Sequence, residues 1–121
     1  MGKFVIRRVD SGVKFDLKAE NGETIATSEV YSSPAVCHKG IESVKKCAAA
    51  GKIEDQTEDT VAAQTNPKFE VYRDKAGLFR FRLRSRNGKI LAFSEGYTTK
   101  AACFGGVESV ITNAPDATIE E

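Results

Sequence analysis

The stretch "RFRLRSR" places an arginine at every second position from residue 80 to residue 86. Alternate residues of a β-strand project from the same face of its sheet. A strand here would therefore line one face with positive charge, which is a surface that attracts anions. The chain also offers Tyr72 as an aromatic ring on which a nucleic-acid base stacks. The predicted contact set for an anion or nucleic acid is Tyr72, Arg80, Arg82, Arg84 and Arg86.

A solvated sheet face is the alternative interpretation of the same stretch. Like charges repeated along one face destabilise a sheet unless neighbouring residues neutralise them, and Glu70 is a candidate cross-strand partner. No glycine-rich phosphate-binding motif accompanies the arginines, so nothing in the sequence indicates a nucleotide site. The sequence leaves both interpretations open.

A second chemical possibility lies in the Glu-Ser pairs of "GIESV" at 40–44 and "GVESV" at 106–110. As general bases, Glu42 and Glu108 would form paired sites near a pseudo-twofold axis. An ordinary structural role is the favoured explanation of Glu42, because Lys45 and Lys46 stand three and four residues later on the same helical face. The serines have no nearby histidine in the sequence and do not form a nucleophile signature. A small enzyme with sites at these helices is therefore the alternative to a binding protein.

The cysteines and the single histidine predict no metal or cofactor. Three cysteines without a CxxC pair indicate neither a disulfide framework nor a zinc site. Cys37 and Cys103 fall on apolar helical positions and are expected to pack as small apolar side chains. Cys47 is expected to be more exposed, and His38 is expected to be half-buried.

Composition limits the classes of protein to which the chain can belong. Its 18 Lys and Arg residues nearly balance 17 Asp and Glu residues, which argues against a dedicated nucleic-acid binder but allows a local basic patch. The apolar fraction of 40% is that of a folded domain. No apolar run has the length of a membrane span or a signal peptide. We therefore expect a cytoplasmic protein without a membrane partner.

The chain repeats itself. Residues 3–12 align with residues 68–77 at an offset of 65, and one extra residue near Leu78 changes the offset to 66 for the remainder. A constant offset over so many positions indicates internal duplication. The predicted organisation is a first repeat at 1–55, a polar linker at 56–67 and a second repeat at 68–121. Because a half this small buries too little surface alone, the two halves are expected to share one core in a monomer with pseudo-twofold symmetry.

Each repeat is predicted to contain three strands, a helix and a last short strand. Alternating apolar residues predict the first two strands, and Asn-Gly at 21–22 and 87–88 predicts the hairpin turn that follows. The inward face of the third strand is ambiguous between Ile25 and Ala26 in the first repeat. The mixed charges Lys14, Asp16, Lys18 and Glu20 replace the arginines of the second repeat.

The predicted helices begin after Ser33 and Thr99, whose hydroxyls suit N-cap positions. An apolar stripe follows at i, i+4, i+7 and i+11 in both copies. Gly40 and Gly106 stand beside these stripes. Because glycine weakens a helix by about 1 kcal/mol, its presence in both copies predicts a close approach between helix and sheet.

The elements "KFEVYRDKAG", "FRFRL", "NG", "SEGY" and "GVESV" together closely resemble the YegP-like family, small bacterial proteins classed as a domain of unknown function. The resemblance covers both halves; the first half departs from it with Val30 for glycine and Pro34 for lysine. It implies tandem β3-α-β units in a single antiparallel sheet, with their last strands exchanged. The family carries no assigned catalytic residues, so none is transferred.

These observations predict an α+β fold with tandem β3-α-β repeats, one antiparallel sheet, two helices on one face and C-terminal strands exchanged between the repeats. The leading functional hypothesis is a non-enzymatic binding or interaction module that uses the open sheet face. The alternatives are the small enzyme near Glu42 and Glu108, and a stress-related structural accessory protein.

Overall fold

The computed structural model describes residues 2–121 as eight strands and two helices. The first repeat contains β1 (Lys3–Val9), β2 (Gly12–Lys18), β3 (Thr24–Thr27), α1 (Pro34–Ala48) and β4 (Ile53–Asp55). The second contains β5 (Lys68–Arg73), β6 (Phe79–Arg84), β7 (Ile90–Phe93), α2 (Lys100–Asn113) and β8 (Thr118–Glu120). The order of elements is the predicted one in both repeats.

All eight strands form one sheet in the order β4-β5-β6-β7-β3-β2-β1-β8. The last strand of each repeat lies beside the first strand of the other, so the predicted strand exchange is confirmed. The sheet is mixed rather than wholly antiparallel, because β4 runs parallel to β5 and β8 runs parallel to β1. The twelve residues of 56–67 provide the long connection that parallel neighbours need, whereas the hairpins within each repeat enforce antiparallel pairing.

Both helices pack on one face of this sheet over a shared core. The predicted stripes are buried in both copies, and four phenylalanines are the largest side chains at the centre: Phe4, Phe15, Phe69 and Phe81. Helix α1 contacts strands of both repeats, including β6 and β7 of the second. Ser33 and Thr99 are the N-caps, accepting hydrogen bonds from the backbone amides of Val36 and Ala102.

The ambiguity of the third strand reflects a real feature of the sheet. Ile25 and Ala26 are both buried, as are Leu91 and Ala92. The register shifts between Leu17 and Lys18 in the pairing of β2 with β3, and the matching shift occurs in the second repeat. At such a β-bulge, two successive residues of one strand lie opposite a single residue of the partner strand. The strict alternation between the two faces of the sheet is lost there, so both residues can be buried.

The duplicated "SE" dipeptides are structural. The buried hydroxyl of Ser28 accepts a hydrogen bond from the backbone amide of Phe15 at 2.9 Å and donates to the carbonyl of Glu29 at 2.7 Å. Ser94 makes the same pair of bonds in the second repeat. These bonds satisfy backbone groups where the third strand leaves the ladder.

The helical glycines accommodate tyrosine rings. A Cβ atom at Gly40 would collide with the hydroxyl group of Tyr31, and one at Gly106 would collide with that of Tyr97. Tyr31 in turn stacks on Phe15 with ring centroids 6.2 Å apart. The predicted close approach is therefore present, but a side chain between helix and sheet makes the contact.

Among residues 2–121, no helix is long and apolar enough to cross a membrane.

Candidate functional site

The sheet face opposite the helices, here called the open face, is formed by the strand residues that alternate with the core residues. Phe4, Phe15, Phe69 and Phe81 point to the helices, and their strand neighbours point away from them. The charged open-face residues of the eight strands are eight basic ones, Lys3, Arg7, Lys14, Lys18, Lys68, Arg80, Arg82 and Arg84, and four acidic ones, Asp16, Glu54, Glu70 and Glu120. Because the whole chain carries a formal net charge of only +1, positive charge is concentrated on this face.

Glu70 holds the arginines of β6 in place. The Nε groups of Arg82 and Arg84 each donate to its Oε1 at 2.6 Å, and Lys68 Nζ lies 3.3 Å from its Oε2. Burial alone would raise the pKa of Glu70, but the hydrogen bonds from Arg82 and Arg84 outweigh it and the pKa is lowered. Glu70 is thus the neutralising cross-strand partner that the sequence suggested.

Glu54 continues this network at the sheet edge. Its carboxylate accepts hydrogen bonds from Gln56 Nε2 at 2.6 Å, Lys68 Nζ at 2.7 Å and the backbone amide of Gln64 at 2.9 Å. These bonds, that of Gln56 foremost, lower the pKa of Glu54 to about 2. The exchanged strand β4 is therefore fixed to β5 by side chains as well as by backbone pairing.

The four arginines do not all share a face, contrary to the sequence prediction. Arg80 lies on the open face, where its Nε donates to Asp74 at 2.6 Å and its Nη1 to the carbonyl of Ser94 at 3.2 Å. Strand β6 ends at Arg84, so the alternation stops there. Arg86 occupies the following turn, is exposed, and lines a small hollow with Cys47 on the helix side.

Tyr72 lies on the open face, but a cation already covers it. The guanidinium carbon of Arg82 lies 4.3 Å from the centroid of the Tyr72 ring. Phe93, which sequence reasoning did not single out, is a second half-buried ring; it pairs with Thr27 and Arg82 on the neighbouring strands, and Lys14 Nζ lies 5.9 Å from its centroid. The position of Phe93 could have been predicted from the alternation within "ILAF", because Ala92 faces the core and the next residue of the strand must then face the open side.

Elsewhere, several candidate residues take structural positions. Cys47 is 8% exposed rather than open to solvent, and burial raises the pKa of its thiol. His38 is half-exposed, with Nε2 3.3 Å from Glu121 Oε1. Glu42 and Glu108 are exposed on their helices, so they do not form an enclosed site. Within residues 2–121, no group of three or more His, Cys, Asp or Glu residues could hold a metal ion.

The family model described as a domain of unknown function (DUF1508) matches residues 10–55 and 74–121, one segment in each repeat. The chain is 35% identical over 115 residues to the UPF0339 protein YegP of Escherichia coli O157:H7, covering 93% of this chain and 88% of that protein. It is also 54% identical over 54 residues to a UPF0339 protein of Treponema denticola, which covers 45% of this chain and 93% of that protein. That relative therefore has about the length of one repeat.

Two solution NMR structures resemble the fold. The protein of unknown function YegP from E. coli superposes with a TM-score of 0.80 at 30% identity, covering 98% of this chain and 90% of that one. A UPF0339 protein from Shewanella oneidensis superposes with a TM-score of 0.79 at 28% identity, covering 98% and 89%.

Proposed function

Because the chain belongs to the DUF1508 family, whose function is unknown, we propose a role from the chemistry of its open face. The protein is a non-enzymatic binding module that holds a polyanion, single-stranded nucleic acid, on this face. The observation that carries the proposal is the excess of basic over acidic side chains on one face of a nearly neutral chain: eight against four within the strands, and eight against five when Asp74, the partner of Arg80, is included.

The ion pairs on the open face reduce its positive charge without removing it. Arg82 and Arg84 share a single carboxylate oxygen of Glu70, so one negative charge serves two guanidinium groups. Each bond uses the Nε–H of a guanidinium that has five N–H donors, which leaves donors for a phosphate. The pairs also hold the side chains in fixed positions, and this lowers the entropy lost on binding.

Aromatic rings stand among these cations. Phe93 lies near the middle of the sheet between Lys14 and Arg82, and it is the ring on which a base would stack. Tyr72 lies two strands away, where the guanidinium of Arg82 already covers its ring. Rings interleaved with positive charges are typical of surfaces that bind single strands, since bases stack on rings while cations contact phosphates. This arrangement favours single-stranded nucleic acid over a compact anion.

The test is fluorescence anisotropy with a labelled single-stranded oligonucleotide at low and at moderate salt. We expect the natural protein to bind the oligonucleotide, with an affinity that falls steeply as salt rises. The reason is that Lys and Arg side chains, when they neutralise phosphates, release the counterions condensed on the nucleic acid. The triple variant Glu70→Gln, Arg82→Gln, Arg84→Gln should lose most of this affinity. Neutralising Glu70 together with its partners avoids leaving a buried carboxylate unpaired.

The matched control is the triple variant Glu42→Gln, Lys45→Gln, Lys46→Gln on helix α1, which removes the same charges on the opposite side of the sheet. It should bind like the natural protein. No binding by the natural protein at low salt, or equal losses in both triple variants, would refute the proposal.

A further inference from the structure

Two clefts on the helix side are related by the internal symmetry. Each lies between the helix of one repeat and the third strand of the other. The α1 cleft is lined by residues that include Tyr31, Gly40, Ser43 and Leu91, and the α2 cleft by their counterparts Tyr97, Gly106, Ser109 and Ile25. Duplication thus produced two copies of one hollow, which can be compared within the same molecule.

The two clefts differ in size and polarity. The α1 cleft has a volume of about 640 Å³ and the α2 cleft about 220 Å³. Small-molecule sites in proteins have volumes of roughly 300–1,000 Å³. Only the α1 cleft lies within that range. Its wall is also more apolar, since Ile90 occupies the position that Thr24 takes in the α2 cleft.

The charges at the two rims are different. Lys39 and Lys89 line the α1 cleft, where the corresponding residues of the α2 cleft are Gly105 and Glu23. Both lysines are exposed at the rim, and Glu29 is the single acidic residue among those that line the α1 cleft. Arg84 also lines it, but this side chain already donates to Glu70 and to the carbonyl of Gly88. An apolar wall beneath two cationic groups is complementary to a molecule with an apolar body and an anionic end.

Tyr31 contributes its aromatic ring to the same wall. Burial raises the pKa of its phenol above the ordinary value. Because Gly40 has no side chain, the ring can lie against the helix, where it stacks on Phe15. The wall is therefore held in place before any ligand arrives, which favours affinity.

We propose that the α1 cleft is a binding site for a small amphipathic carboxylate. The apolar body lies against Tyr31, Ile90 and Leu91, and the carboxylate lies between Lys39 and Lys89. The α2 cleft does not bind this ligand, because its volume is too small and Glu23 repels a carboxylate. The inference differs from the proposed role of the open face. Arg84 is the one charged open-face residue that also lines this cleft, so substitutions at Lys39 and Lys89 test the cleft without altering the open face.

The experiment titrates ¹⁵N-labelled protein with decanoate below its micelle-forming concentration, and in parallel with decanol. We expect decanoate to shift the amide resonances of Lys39, Gly40 and Lys89 in a saturable manner, while decanol binds more weakly because it has no charge. No saturable shift with decanoate, equal affinity for decanol, or shifts centred on Gly106 would each overturn the proposal.

The decisive variant is Lys39→Gln with Lys89→Glu, which gives the α1 rim the charge found at the α2 rim. We expect the affinity for decanoate to fall about tenfold, the effect of losing two exposed charge contacts. The matched control, Lys39→Arg with Lys89→Arg, keeps both charges and should bind decanoate like the natural protein. Unchanged affinity in the first variant, or an equal loss in the control, would contradict the assignment of these lysines.

Discussion

At the residue scale, Gly40 and Gly106 show how the tyrosine of the same repeat limits which side chain a helix position can hold. A Cβ atom at Gly106 would collide with the hydroxyl of Tyr97 and lie 2.9 Å from Phe81 Cε2, whereas at Gly40 the nearest atoms all belong to Tyr31. Two constrained rings resist displacement more than one does. The copies should therefore respond unequally to the same substitution.

We expect Gly106→Ala to lower the free energy of unfolding by about 1–3 kcal/mol, because overpacking outweighs the gain in helix propensity. Gly40→Ala should cost less, since only Tyr31 must move. Chemical denaturation measures both effects.

Gly105 supplies the control on the same helix, because a Cβ atom there would meet no atom within 4 Å. Gly105→Ala should raise stability by up to about 1 kcal/mol. A higher denaturation midpoint for Gly106→Ala would mean that the tyrosine ring adjusts at little cost.

Glu54 provides a pH dependence with a defined sign. Its pKa is lowered from 4.5 to about 2 by folding, so the unfolded chain takes up this proton first as the pH falls. Its stabilising contribution is fully present above about pH 4.5 and is lost as the pH falls towards 2. Glu54→Gln should therefore be less stable than the natural protein near neutral pH and lose less stability on acidification.

Denaturation at neutral and acidic pH measures this difference, with Glu42→Gln on an exposed helix position as the control. If the stability of Glu54→Gln and the natural protein fell in parallel over the acidic range, the hydrogen bonds to Glu54 would not stabilise the fold as described.

At the element scale, the exchanged strands hold the two repeats together. Strand β8 pairs with β1 through Lys3, Phe4 and Val5, and Ile119 lies opposite Phe4 with its side chain against the core. Deleting residues 116–121 should lower the melting temperature of the whole protein, because it exposes the edge of β1 and part of the core of the first repeat.

The control for this deletion is Glu120→Ala with Glu121→Ala, which keeps Ile119 and the backbone pairing of β8. It should melt close to the natural protein. A truncated chain that also melted there would show that the exchanged strand adds nothing to stability.

At the scale of the whole molecule, one repeat cannot complete the sheet. Strand β4 of the first repeat pairs with β5 of the second, and α1 packs on β6 and β7. The Treponema denticola relative has about the length of one repeat, and two such copies have the parts to form the same eight strands. The natural chain thus corresponds to a covalently joined pair of units.

We therefore expect residues 1–55, prepared alone, to fold only by pairing with a second copy. Their melting temperature should rise with protein concentration, because association stabilises the folded state by mass action. The full chain should show no such dependence. Analytical ultracentrifugation and thermal melts measure this, and a piece with a melting temperature independent of concentration would contradict it.

The sequence by itself determined the duplication, the order of the elements, the helix caps and the core stripes. These features depend on spacing along the chain, since caps and turns are local and a strand or helix repeats its faces at a fixed period. It also identified Glu70 as a partner for the arginines, because Glu70 stands in the neighbouring strand at the matching position. The exchange of end strands came only from the resemblance to a family.

Only the tertiary structure decided the parallel pairing of the end strands, the departure of Arg86 from the open face and the burial of Cys47. The residue at which a strand ends depends on the strand with which it pairs, and this decides the position of Arg86. The burial of Cys47 depends on which side chains pack against it from other elements. The difference between the two clefts could not be predicted from the sequence either, because Lys39 and Lys89 are fifty residues apart along the chain. Their meeting requires the helix of one repeat to lie over the strand of the other, which is a property of the shared core.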